Sequence, residues 1–159
     1  MGAKSEAMAT QFEAKAKEAA AVLGKLTDAD WKKTTTGEQW TVGATAHHLA
    51  RSYEAVAGIV TRLASGGSLG GFTRAMLDQQ NAAQAKEQAN CNRAETVALL
   101  QKGAAAAAPV VRGLSDEQLT KSVTVFADAP AMTIEQLVGA ALLNHTDEHI
   151  GSIRKTIGH

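Results

Sequence analysis

A chain of 159 residues, 45% of them apolar and 20% charged, is long enough to bury a core of its own and reads as one domain over residues 1–159. Sixteen Lys and Arg balance sixteen Asp and Glu; with no basic stripe interleaved with aromatics, nucleic acid and anionic membrane are not expected partners. No apolar run reaches the roughly 18 residues of a spanning helix, and no signal-peptide core opens the chain.

Glu6 stands where a myristoylation signal needs Ser or Thr. Cys91 is the single cysteine, which rules out an internal disulfide and makes the cytoplasm the expected location.

Four long segments read as helices. The first runs from Ser5 to Leu26, with Met8, Phe12, Ala16, Ala19, Leu23 and Leu26 at spacings of three and four. Trp31 and Trp40 follow and are expected to close one end of the molecule. The second helix starts after Thr41, a suitable N-cap. Val42, Ala46, Leu49, Tyr53, Val56, Val60 and Leu63 keep its apolar face in register, as in a bundle seam. "SGGSLGG" (Ser65 to Gly71) ends it; the segment fits neither G-x-G-x-x-G nor a P-loop, and no strand precedes it, so it reads as a flexible turn.

The third region, Phe72 to Gly113, is interrupted by "NCNRAE", where Asn92 and Glu95 resemble a capping box that restarts the helix. "GAAAAAPVV" suits a closely packed helix, with Pro109 kinking or ending it nearby. "LSDEQL" offers a capped turn, and "SVTVF" is too short and solitary to form a sheet. At "MTIEQL" Thr133 caps the fourth helix and Gln136 reaches back; it runs to Ile157. His159 is terminal and is expected to be disordered. Four helices with one apolar face each predict an all-α, four-helix bundle.

The chemistry concentrates in "LLNHTDEHIGSIRK". His145 and His149 lie four apart, hence on one helix face. They follow Val138, Ala141 and Leu142 and precede Ile153, so they interrupt the stripe expected to face the core. Two buried imidazoles need hydrogen-bond partners or a metal ion, since unpaired buried polar groups are costly. A third ligand is sought in "AHHLARS". Periodicity does not separate His47 from His48, but Arg51 and Glu54 surround His47, whereas Thr41, Thr45, Ser52 and Ala55 leave room beside His48. His48 is therefore the candidate, and His47 is read as exposed or as a supporting neighbour of the site.

"QWTVGATAHHLA", with Trp40 eight residues before His48, and the last-helix pattern H-x-x-x-H followed by Gly and a basic residue resemble the two motifs of the DinB-like proteins. The resemblance covers essentially the whole chain. It implies a four-helix bundle holding a divalent metal through one His of helix two and two of helix four, here His48, His145 and His149, in a homodimer. Zinc or nickel is expected first and iron or manganese after them, although imidazole ligands suit several of these ions and the sequence does not choose among them.

Relatives include mycothiol-dependent maleylpyruvate isomerases, bacillithiol S-transferases and stress-associated proteins. The second domain of the mycothiol isomerases has no counterpart here, so that reaction is not the expected one.

Three neutral nitrogens leave a position open for water or a thiol, as in a catalytic site. The expected activity is thiol S-transfer or hydrolysis on a small-molecule substrate, with a low-molecular-weight thiol as co-substrate in the first case. A non-catalytic, metal-binding stress-response protein is the alternative, and a metal-free helical bundle whose apolar faces serve assembly is a third.

"HTDEH" also fits the H-x-x-E-H signature of inverted zinc proteases, with Glu148 as general base. That architecture is far larger than this chain, which makes a peptidase the remote alternative. At 100° per residue Asp147 points away from the pair, whereas Glu148 can reach the site. Arg51 and Arg154 are candidates for an anionic co-substrate, and Cys91 has no His arranged near it.

Overall fold

The computed structural model describes residues 2–158, and His159 lies outside them. It contains α1 (Ala3–Gly24), α2 (Asp28–Lys32), α3 (Val42–Ala64), α4 (Arg74–Glu87), α5 (Arg93–Arg112), α6 (Asp116–Thr120), α7 (Ile134–Val138) and α8 (His145–Ile157), with a π-helical turn at Gly139–Asn144 between the last two. The bundle is a closed ring. α5 packs against α1 and α3, and α8 against α3 and α1.

Its third member is α5 alone. α4 carries a single buried residue, Ala85, and lies against α3 as an added helix. Asn92 starts α5 as an N-cap, its side chain accepting from Glu95 N at 2.9 Å. Pro109 is carried inside α5, which ends three residues later.

Burial follows the sequence periodicity where helices meet only helices. Phe12, Ala16, Ala19 and Leu23 of α1 and Val42, Ala46, Leu49, Tyr53, Val60 and Leu63 of α3 are in the core. Trp31 is buried with them, its indole N–H donating to Cys91 O at 2.8 Å. Thr41 caps α3 by accepting from Ala44 N at 3.0 Å, and its hydroxyl donates to Ala89 O at 3.1 Å. The residue that starts the helix thus also ties it to the segment before α5.

Two expectations are corrected. "SVTVF" is not solitary: β1 (Ser122–Val123) pairs antiparallel with β2 (Met132–Thr133), where the chain doubles back before the cap at Thr133. The predicted capping box there is present, with Gln136 N bonding Thr133 Oγ1 at 3.1 Å and Thr133 N bonding Gln136 Oε1 at 2.9 Å.

The fourth helix runs unbroken from Ile134 to Ile157 but is not α-helical throughout. In its π turn the N–H of His145 reaches Ala140 O, five residues back. One inserted residue shifts everything after it by about 100° around the axis. The core row then runs through Leu142, Thr146, Ile150 and Ile153. The histidines flank that row, half-buried at its edge, and do not interrupt it.

Candidate metal centre

Three segments converge on one point: the second turn of α3, the start of α8, and the loop 33–41. His48 Nε2 lies 3.0 Å from His145 Nε2, which lies 2.9 Å from His149 Nε2. The three rings stand edge to face, with centroids 4.4–5.0 Å apart. Their ligand nitrogens all fall within 4.8 Å of one another, and among the described residues no further His, Cys, Asp or Glu joins the group.

The outward nitrogens and ring faces are held from behind. His149 Nδ1 meets Glu38 Oε2 at 2.6 Å, and Ser152 Oγ donates to Glu38 Oε1 at 2.5 Å. His145 Nδ1 faces Ser52 Oγ at 3.4 Å, and Ser52 itself donates to Leu49 O at 2.7 Å, which leaves its oxygen free to accept. Trp40 stands edge-on to His48 at 5.4 Å between centroids.

Electrostatics keep His48 and His145 neutral. Burial first, then the neighbouring His149 and the Arg51 guanidinium, bring His48 down to about 4. Burial, His149 and His48, with Arg74 contributing, bring His145 down to about 3. Burial alone would raise the Glu38 carboxyl, but hydrogen bonds from His149, Ser152 and Thr35 outweigh it and hold the group at about 2. At neutral pH His48 and His145 are uncharged and Glu38 is a carboxylate.

Of the residues singled out from the sequence, His48, His145 and His149 come together and His47 does not: it is half-buried on α3 and has no hydrogen bond to the cluster. Glu148 is exposed and bonds none of the three rings. The carboxylate at His149 is instead Glu38, from another segment.

Asp147 is exposed and paired with Lys15 at 2.7 Å, and Arg154 with Glu18 at 2.8 Å. Cys91 donates to Gly43 O at 3.3 Å, and burial raises its thiol, the reverse of what a nucleophile needs. A groove of about 430 Å³ between α1 and α5, lined by Ala16, Ala20, Leu100 and Ala104 among others, includes none of the site residues.

Glu38 escaped the sequence reading because loop residues carry no periodicity. A usable signal existed in chemistry: a metal-binding imidazole normally gives its second N–H to a carboxylate or carbonyl, and "TTTGEQW" holds an acid two residues before the motif tryptophan.

The donor set suits a divalent transition ion. On a tetrahedral ion at about 2.0–2.1 Å, imidazole nitrogens stand about 3.3–3.4 Å apart. The separations of 2.9 and 3.0 Å differ from that by an amount small side-chain rotations absorb.

The model of the mycothiol maleylpyruvate isomerase N-terminal domain matches residues 12–143, a span that contains Glu38 and His48 and stops short of His145 and His149. Among solved structures, one similar chain is YfiT from Bacillus subtilis, "a probable metal-dependent hydrolase with an unusual four-helix bundle topology". The likeness has a TM-score of 0.77 and 18% identity, over 99% of this chain and 90% of that one, and at that identity it carries the fold alone. No curated protein matches the chain.

Proposed function

The chain belongs to the mycothiol maleylpyruvate isomerase N-terminal domain family, one of the DinB-like group, and we propose that it is a metal-dependent enzyme acting on a small molecule, with His48, His145 and His149 as ligands of one divalent ion. The observation that carries this reading is the convergence of three Nε2 atoms from two helices with, among the described residues, no fourth protein ligand beside them. Three neutral nitrogens with an open position are the arrangement of a catalytic rather than a closed structural site. A divalent ion held there would supply a Lewis acid that makes a water or a thiol nucleophilic near neutral pH.

The surrounding carboxylates favour thiol S-transfer. Both oxygens of Glu38 are engaged, Asp147 is paired with Lys15, and Glu148 is exposed and bonds none of the three rings, so among the described residues no unengaged carboxylate bonds the histidine cluster. A thiol that has released its proton to solvent is its own nucleophile: sulfur bonds to the electrophilic carbon, and the leaving group departs with its electron pair. Hydrolysis is the second reading, favoured by the description of the structurally similar YfiT. A non-catalytic metal-binding role fits the same ligands but leaves the open position without a use. The proposal includes a homodimer and a cytoplasmic setting; among the described residues no helix is long and apolar enough to cross a membrane.

The test starts with elemental analysis of tag-free protein never exposed to a nickel column. About one transition-metal ion per chain is expected in the wild type, and none in His145→Ala. Full stoichiometry retained in His145→Ala would remove the ligand assignment. Loaded protein is then assayed for conjugation of low-molecular-weight thiols to 1-chloro-2,4-dinitrobenzene and for hydrolysis of p-nitrophenyl acetate.

A further inference from the structure

We propose that Glu38 is a positioning residue of the site: delivered by the loop 33–41 and held by Ser152, its carboxylate takes the Nδ1–H of His149 and so presents Nε2 of that ring, as a lone pair, to the point where His48 and His145 converge. The inference rests on the reading of the three histidines as metal ligands and adds to it a residue outside both histidine motifs.

Tautomer choice is the physical problem. A neutral imidazole carries one N–H, on either nitrogen, and only the unprotonated nitrogen can bind a metal. In water the Nε2–H form is freely populated, and that form would turn a proton toward the cluster. A carboxylate is an acceptor only, so a 2.6 Å contact between Glu38 Oε2 and His149 Nδ1 fixes the proton on Nδ1. The side chains of His149 and Glu38 are 12% and 13% exposed, so water competes little for either atom.

α8 does not solve this problem alone. Its own acids next to His149 are Asp147, paired with Lys15, and exposed Glu148. The loop supplies the partner and is built to hold it still. Thr35 N bonds Trp40 O at 2.8 Å, Gln39 N bonds Thr35 O at 3.2 Å, and Val42 N bonds Lys33 O at 2.7 Å. Thr34 and Thr41 form a bridge across its base.

Gln39, next to Glu38, sits at φ 64°, the left-handed region a non-glycine residue adopts only when its surroundings fix it. Gly37 lies against α8, where an added Cβ would stand 3.3 Å from Ser152 Oγ. The same loop brings Trp40 edge-on to His48, so two of its residues, two apart in sequence, bear on two of the three histidines.

The experiment uses the full-length chain stripped of metal and titrated with Zn²⁺ against a chromophoric chelator, for wild type, Glu38→Ala, Glu38→Gln and Ser152→Ala. Long-range ¹H–¹⁵N NMR on the metal-free proteins reads the tautomer of His149. The expected results are an Nδ1–H tautomer in the wild type, a mixed population in Glu38→Ala, and zinc affinity lowered about 10- to 100-fold in Glu38→Ala. Glu38→Gln, which keeps the shape and an acceptor oxygen but loses the charge, should be weakened less, and Ser152→Ala least.

A merely structural Glu38 would lower the melting temperature without moving the tautomer. Wild-type affinity in Glu38→Ala, or a proton on Nε2 of His149 in the wild type, overturns the inference while leaving the metal site intact. A wild type that binds no zinc overturns the metal reading itself. If Glu38→Ala does not fold, Glu38→Gln and the wild-type tautomer decide.

Discussion

α3 has two working sides, and they are built on different principles. Toward α1 and α5 it offers Leu49, Ala50 and Tyr53 to Phe12 and Leu100 in a dry, fully buried contact. The approach is close enough that a Cβ on Gly103 of α5 would stand 3.1 Å from both Ala50 O and Tyr53 Cβ. Toward α8 the same helix offers His48 and Ser52 to His145, and the loop 33–41 adds Glu38 and Trp40.

The first contact is specified by volume, so many apolar sequences would satisfy it. The second is specified by direction, because each donor has to face a particular acceptor. Tyr53 belongs to both. Its ring meets Phe12 edge-on at 4.8 Å. Its hydroxyl lies 2.8 Å from Thr146 Oγ1, which already donates to Leu142 O at 2.7 Å, so the tyrosine is the donor. Burial first, with the Asp147 charge adding, pushes its pKa up to about 12.

The largest expected effect tests whether the two sides are independent. Phe12→Ala empties a fully buried site and should cost about 3–5 kcal/mol, read from urea unfolding of the metal-free protein. Zinc affinity of the folded fraction should be unchanged, the reverse of the pattern expected for His145→Ala. A matching loss of zinc affinity would mean that the dry contact also sets the histidine geometry, through Tyr53 and Thr146.

Acid should separate the two sides by a smaller amount. His48 and His145 take protons in the unfolded chain near 6.5, whereas in the fold burial chiefly holds them to about 4 and about 3. Between those values the unfolded state binds more protons, so stability falls as pH falls from about 6.5. Glu38 acts in the same direction lower down: its carboxyl is protonated near 4.5 when unfolded and near 2 when folded, so its contribution is lost as pH drops through that window. Melting temperature of the metal-free protein should therefore be level above pH 7 and decline below 6.5. Phe12→Ala should lower the whole curve in parallel, while His145→Ala should flatten its acid limb. A decline of the same slope in His145→Ala would place the acid sensitivity elsewhere.

The division also explains what could be read from the sequence. The dry side writes itself into the chain at a period of 3.6, so the run from Val42 to Leu63 and the core residues Phe12 and Leu23 were legible. The wet side was legible only where it lies on a helix: the H-x-x-x-H spacing, and the small neighbours that distinguished His48 from His47. Glu38 has no period to announce it, since it reaches His149 from a turn fixed by backbone bonds and a left-handed Gln39. The π turn was hidden for a related reason. "GAALLN" is as compatible with an ordinary helix as with a widened one, and the choice is made by packing around it, with Thr146 rather than a histidine taking the core position.

The smallest expected effect is the most discriminating for the chemistry. If the H-x-x-E-H pattern carried a protease mechanism, Glu148 would be the general base and Glu148→Gln would abolish turnover. Its side chain is exposed on α8 and bonds none of the histidines. The substitution removes one surface charge and should change stability by no more than about 0.5 kcal/mol. Zinc affinity and the rates of thiol conjugation and ester hydrolysis should stay within about twofold of wild type, because none of the three histidines and none of their hydrogen-bond partners is altered. A fall in kcat of about a hundredfold or more with unchanged zinc affinity would instead mark Glu148 as a proton-transfer group. The arrangement of carboxylates would then no longer favour S-transfer. The comparison between the two sides of α3 would have to admit a third surface, the exposed face of α8.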